Sequence, residues 1–163
     1  MQLPILLGDD PRLRQKAAAV TTQEFTHDSF QATVDDLFDS MQQADGLGLA
    51  APQVGLAKQL IIVTVGNTPH CLINPIITSR SKEIRLGEEG CLSFPGLFGK
   101  VARAVSIEVS YLDRHGKKQQ LKVNHMDARV IQHELDHLVG ILLPDRLKEK
   151  VKAPEEAFAG RSL

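Results

Sequence analysis

The five residues His133-Glu134-Leu135-Asp136-His137 constrain this chain more than any other stretch. On a helix, two histidines four residues apart stand one turn apart on the same face, so both imidazoles can reach one metal ion. Glu134 then lies about 60° around the helix from His137, within reach of a water on that metal. Residues 127–131 lead in without Gly or Pro, and Gly140 fits a C-terminal stop. Two ordinary histidines on a half-buried helix would show the same five residues. The metal reading therefore depends on what the rest of the chain supplies.

A metal-bearing helix needs a core to hold it, and 163 residues suffice for one domain with a real core. The hydrophobic share of 42% and charged share of 24% are ordinary for a globular protein, so no disordered or fibrous class is indicated. A net charge of -1 supplies no basic field toward nucleic acid or anionic membrane. No apolar run approaches the length of a bilayer span. The start, Met1-Gln2-Leu3-Pro4, carries no basic region before a long apolar stretch, so no secretory signal is expected. Cys71 and Cys91 are too few for a disulfide framework, and a reducing cytoplasm is the expected compartment.

Residues 1–25 read as a wrapping segment, with a helical turn or two over 12–18. An amphipathic helix is predicted over 28–45, where Phe30, Val34, Leu37, Phe38, Met41 and Ala44 recur at spacings of three and four. Gly46-Leu47-Gly48-Leu49-Ala50-Ala51-Pro52-Gln53 follows. Its small residues let a backbone approach something closely, and the same residues would suit a helix cap and turn. Residues 59–65 predict a buried strand, and 71–78 a return strand broken at Pro75. Residues 87–96 read as a turn-rich loop holding Cys91 beside Glu88 and Glu89. From Arg103 onward, Val105, Ile107, Val109 and Tyr111 alternate with polar residues as a half-buried strand. Asp113-Arg114-His115-Gly116 is a hairpin signal, with 121–124 as the partner strand. A last helix is expected over 145–152, and a mobile tail over 153–163. One α+β domain over residues 1–163, with mainly antiparallel strands around the metal-bearing helix, is the economical architecture.

A catalytic metal usually takes three protein ligands and keeps a position for water. One zinc-protease pattern places a third His six residues beyond the second, but Leu143 stands there. Glu149, Glu155 and Glu156 could serve as a later carboxylate ligand, with little chain left to hold them rigidly. Cys91 is the better choice, because a thiolate binds strongly and Gly90 leaves room for a metal.

Three stretches, taken together, resemble the peptide deformylase family. Residues 46–53 are similar to its G-φ-G-φ-A-A-x-Q motif, where φ is apolar, and Glu89-Gly90-Cys91-Leu92-Ser93 to its E-G-C-[LI]-S motif. Gln132-His133-Glu134-Leu135-Asp136-His137 is similar to Q-H-E-x-D-H. All three stand in family order, and the resemblance runs from Gly8 to Asp145.

The resemblance implies Cys91, His133 and His137 as metal ligands and Glu134 as general acid and base. It implies the Gln53 amide and the Leu92 N–H as oxyanion donors, and Gly46, Leu47 and Gly48 at the peptide-binding edge. Glu89 and Arg103 resemble substrate-binding or ligand-supporting positions; Leu47 and Val130 are the expected apolar pocket for methionine. Asp136 is expected to orient a neighbour; Cys71, His70, His115 and His125 match no motif. The implied activity is removal of the formyl group from formylmethionyl nascent chains, releasing formate. The implied cofactor is one divalent metal ion, ferrous iron natively, with zinc, nickel or cobalt as substitutes. The expected partners are N-formylmethionyl peptides met at the ribosome, with no nucleic-acid or membrane site. The short tail, interrupted by Pro154, departs from the longer basic helix of many members and weakens a docking role for it. The compartment implied is the bacterial cytoplasm, or an organellar matrix after removal of a transit peptide. A small zinc endopeptidase and a binding protein with a closed structural metal site are the rival readings. The latter would need Cys71 or His125 as a fourth ligand.

Overall fold

The first long helix forms where the apolar stripe has a helical period. In the computed structural model, which describes residues 2–151, α1 spans Asp28–Gln43 and buries Val34, Leu37 and Met41. Those side chains join Leu49, Leu60, Ile62 and Ile73 in one apolar cluster. The strands among the described residues are β1 (Gly48–Ala50), β2 (Leu60–Val65), β3 (Thr68–Arg80), β4 (Ile84–Cys91), β5 (Phe94–Ala104), β6 (Ser106–Leu112), β7 (Lys118–Asn124) and β8 (Glu149–Val151). They form two antiparallel sheets, ordered β1-β2-β3-β6-β7 and β4-β5-β8. The architecture is α+β.

The helix that carries the histidine pair, α2, spans His125–Leu138. Ala128, Val130, Ile131 and Leu138 pack with Ile61, Val63, Leu72, Ile107 and Val109 of the larger sheet. Its end is a Schellman motif: the Gly140 N–H donates to the His137 carbonyl at 3.2 Å, and the Ile141 N–H to the Asp136 carbonyl at 3.0 Å. Gly140 has φ 72°, a conformation that costs an L side chain but not glycine. The short helix α3 (Leu143–Arg146) follows.

Four expectations are corrected. Pro75 does not break the return strand: β3 runs through it with a register shift between Ile73 and Ile76. There Asn74, at φ 51°, straps the N-terminal segment by accepting from the Val20 N–H and donating to the Val20 carbonyl. Residues 87–96 are not a loop. They are the ends of β4 and β5, joined through Leu92 and Ser93. Arg103 lies near the end of β5, not at the start of the next strand. The expected helix over 145–152 is α3, whose first turn holds Pro144, followed by β8, which pairs with the edge of β5 at Phe98–Lys100. An open strand edge outweighed the local helical pattern there. No helix among the described residues is long and apolar enough to cross a membrane. The tail expected to be mobile, 153–163, lies outside the described residues.

Candidate metal centre

Two elements distant in sequence meet at the site. The helical period stacks His133 and His137 with ring centroids 5.1 Å apart and planes at 68°. Strand β4 ends at Cys91, whose Sγ lies 3.3 Å from His137 Nε2. One donor atom from each of Cys91, His133 and His137 lies within 4.8 Å of the others, and all three residues are buried. Usual zinc–sulfur and zinc–nitrogen bond lengths at a tetrahedral angle put such donors about 3.5 Å apart.

The tautomer of His133 supports the same reading. Its Nδ1 lies 2.9 Å from Glu89 Oε2, and its buried Nε2 has no hydrogen-bond partner among the described residues. With Nδ1–H donating to the carboxylate, the Nε2 lone pair is left for a metal. A thiol and two imidazoles suit zinc or ferrous iron by ligand type, so the residues present fit one such ion. Cys71 and His125 do not join the group, so no four-residue shell closes it among the described residues. The Cys71 thiol is instead pushed up to about 12, chiefly by burial. Glu149 is described only through the backbone of β8, and Glu155 and Glu156 lie outside the described residues.

Behind His133 stands a buried charge network. Glu89, with no exposed surface, accepts from Arg103 Nε and Nη2 and from Arg129 Nη1, each at 2.9 Å. Burial alone would raise its pKa. Hydrogen bonds from Arg103 and His133 outweigh that and hold it below the usual carboxylate range. Arg103 also donates to Asp136 at 2.6 Å, and Asp136 accepts from Arg146 at 2.7 Å. Gln132 clamps β5 to α2, donating to the Ala104 carbonyl at 2.9 Å and accepting from its N–H at 3.1 Å. Both Glu89 and Arg103 are thus occupied behind the ligand.

In front, one carboxylate is left open. Glu134 is fully buried, and neither carboxylate oxygen has a hydrogen-bond partner among the described residues. Burial is the main reason its pKa is raised to about 7, offset in part by the charge of His133. Strand β1 passes so close that a Cβ on Gly48 would sit 2.5 Å from Glu134 Oε1. Gln53 Oε1 accepts from the Ala50 N–H at 2.8 Å, which turns the amide Nε2 toward Ser93 Oγ at 3.2 Å and Cys91 Sγ at 3.7 Å. The Leu92 side chain covers Gly46, where a Cβ would meet its Cδ1 at 2.9 Å. Leu47 is half-buried, and Val130 is buried in the main core.

Sequence reasoning assigned no role to Ser93, Gln132, Arg129 or Arg146. Ser93 and Gln132 lie inside matched motifs. Arg129 stands four residues before His133 on one helix face, a spacing that could have flagged it.

A family model described as polypeptide deformylase matches residues 2–153. A peptide deformylase of Stenotrophomonas maltophilia is 47% identical over 148 residues, covering 89% of this chain and 86% of that protein. A solved peptide deformylase from Thermotoga maritima superposes with TM-score 0.86 at 38% identity, covering 91% of this chain and 99% of that one. A class I type b peptide deformylase from Acinetobacter baumannii, bound to Met-Ala-Ser, has TM-score 0.86 at 34% identity, covering 90% and 99%.

Proposed function

The chain belongs to the polypeptide deformylase family and removes N-formyl groups from nascent polypeptides, and from that premise we propose which of its residues do so. The observation that carries the proposal is Glu134, a buried carboxylate with two unpartnered oxygens beside a cluster of one thiol and two imidazoles.

Cys91, His133 and His137 hold one divalent ion. That ion would supply Lewis acidity, lowering the pKa of the attacking water and stabilising developing negative charge. Glu134 takes the proton of the attacking water as general base. It then gives the proton to the leaving amine as the C–N bond breaks, so formate and a free N-terminus result. Gln53 Nε2 and the Leu92 N–H donate to the oxyanion. The extended substrate adds to β1, an edge strand of its sheet among the described residues, through main-chain hydrogen bonds at Gly48, with Gly46 lining its approach. The methionine side chain lies against Leu47, with Val130 behind. A formyl carbon bears only hydrogen, so a tight site admits it and excludes acetyl. Glu89 and Arg103 act by holding His133.

Ferrous iron is the native metal, with zinc, nickel and cobalt as working substitutes. Residues 1–163 act as one catalytic domain in the bacterial cytoplasm, on chains emerging from the ribosome. A zinc endopeptidase would need a later Glu ligand in place of Cys91, and nothing among the described residues favours it.

The test is metal analysis and formate release from a formyl-Met peptide, with protein purified under argon. One equivalent of metal and formate release are expected. Activity should be lost in air with iron and kept with nickel, cobalt or zinc, because ferrous iron and a thiolate both oxidise. Cys91→Ala should lose the metal and Cys71→Ala should keep it. Full occupancy and activity in Cys91→Ala would remove it from the ligand set.

A further inference from the structure

Glu89 is gripped by a residue that neither the ligand set nor the proton pathway uses. Arg129 lies one turn before His133 on the same face of α2. Its Nη1 donates to Glu89 Oε1 at 2.9 Å and to the Val101 carbonyl at 2.8 Å, while Nη2 donates to the Arg85 carbonyl at 3.0 Å. A longer contact of 3.3 Å reaches the Gly87 carbonyl. Arg85 and Gly87 belong to β4 and Val101 to β5, so one guanidinium ties the helix to both strands of the hairpin. Gly87 makes the space: a Cβ there would sit 2.7 Å from Arg129 Cζ. Arg103 makes a second tie, from β5 to Asp136, but its guanidinium reaches β4 through the Glu89 side chain and not through the β4 backbone among the described contacts. Cys91 ends β4 four residues beyond Gly87. The distance from its sulfur to the two imidazoles is therefore set by how the hairpin seats on α2.

We infer that Arg129 is a positioning residue for the metal centre, fixing the Cys91 sulfur relative to His133 and His137 by clamping the β4–β5 hairpin to α2. The inference rests on the assignment of those three residues as ligands. Its chemistry calls for arginine. A planar fork serves a carboxylate and carbonyls from two strands at once, which a lysine ammonium cannot reproduce.

The experiment uses metal-loaded protein. Zinc loss to a chelator is timed for wild type, Arg129→Met, Arg129→Lys and Gly87→Ala, and the thiolate-to-cobalt absorption is recorded for the cobalt forms. Val34→Ala is the control, since it opens a cavity under α1, in a cluster that contains none of the partners of the Arg129 guanidinium. Zinc should leave Arg129→Met about 10–100-fold faster than wild type, the usual effect of losing a group that orients a ligand. Arg129→Lys should fall between, and both cobalt spectra should shift. Gly87→Ala should reproduce the effect by pushing the guanidinium off its carbonyls, and should add nothing in the Arg129→Met background. Val34→Ala should release zinc at the wild-type rate at an equal loss of thermal stability. Wild-type release from Arg129→Met would overturn the inference; if that variant does not fold, the same result in both Arg129→Lys and Gly87→Ala would do so. Equally fast release from Val34→Ala at matched stability would also overturn it, by reducing Arg129 to a general structural role. A wild-type protein that binds no stoichiometric metal would instead refute the ligand assignment beneath it.

Discussion

Glu89 and Glu134 both lie near His133 with no exposed surface, and they have opposite electrostatics. On the hairpin side, Glu89 accepts from Arg103, Arg129 and His133, and its pKa falls below the ordinary range despite burial. On the β1 side, Glu134 has no partner on either oxygen among the described residues, and burial raises its pKa to about 7 in the metal-free site. Taking an ionised carboxylate out of water costs several kcal/mol unless it is paired. Glu89 is paired and therefore stays charged. Glu134 is unpaired and therefore stands ready to gain or lose a proton near neutrality. In the proposed mechanism, the carboxylate whose hydrogen-bonding capacity is full holds a ligand, and the one whose capacity is unmet acts on substrate.

The largest break in that contrast is Glu134→Gln. It should leave the fold and the metal content intact while kcat falls by roughly 10²–10⁴, the usual loss for a general acid and base. Metal analysis alongside kcat decides it. Near wild-type turnover would take Glu134 out of the proton pathway, and loss of metal would make it another holding group.

Gln53→Ala probes the same open side more gently. The Ala50 N–H fixes which way its amide points, so Nε2 faces the thiol side of the site. Removing one oxyanion donor costs about 2.7–4 kcal/mol in a well-characterised hydrolase. The loss should fall on kcat far more than on KM. A change confined to KM would make Gln53 a group that binds the substrate before reaction.

The open side was far more legible in the sequence than the filled side. His133, Glu134 and His137 share one helix, so a period of 3.6 residues suffices to place them. The larger sheet was legible in its β-branched and alternating runs, such as Ile107 to Tyr111, because one face of each strand meets the core. The hairpin was not. Gly87 and Gly90 read as turn residues, yet Gly87 lies in β4 because an arginine from α2 occupies the place of its side chain. Glu88 and Glu89 look alike in sequence, and strand alternation sends only Glu89 inward. β8 depends on the free edge of β5, some fifty residues earlier in the chain, and local propensity carries no trace of that edge.

The smallest effect is a pH slope in the metal-free protein. A carboxyl whose pKa is raised on folding, from 4.5 to about 7 for Glu134, holds its proton more tightly in the fold. The stability it contributes is fully present below the unfolded value, declines as pH rises through that window and is gone above the folded value. Glu134→Gln cannot ionise, so its stability relative to wild type should climb between about pH 5 and 7 and then level off. At about 1.36 kcal/mol per unit, the total climb is at most about 3 kcal/mol. Glu89 does not interfere, because its depressed pKa places its own loss of stability in stronger acid. His133 is coupled to Glu134 by charge, so the climb belongs to that pair and not to the carboxyl alone. Urea unfolding of the two metal-free proteins at matched pH values measures it. A difference that stays flat across the window would give Glu134 an ordinary carboxyl pKa, and burial alone would then no longer separate it from Glu89.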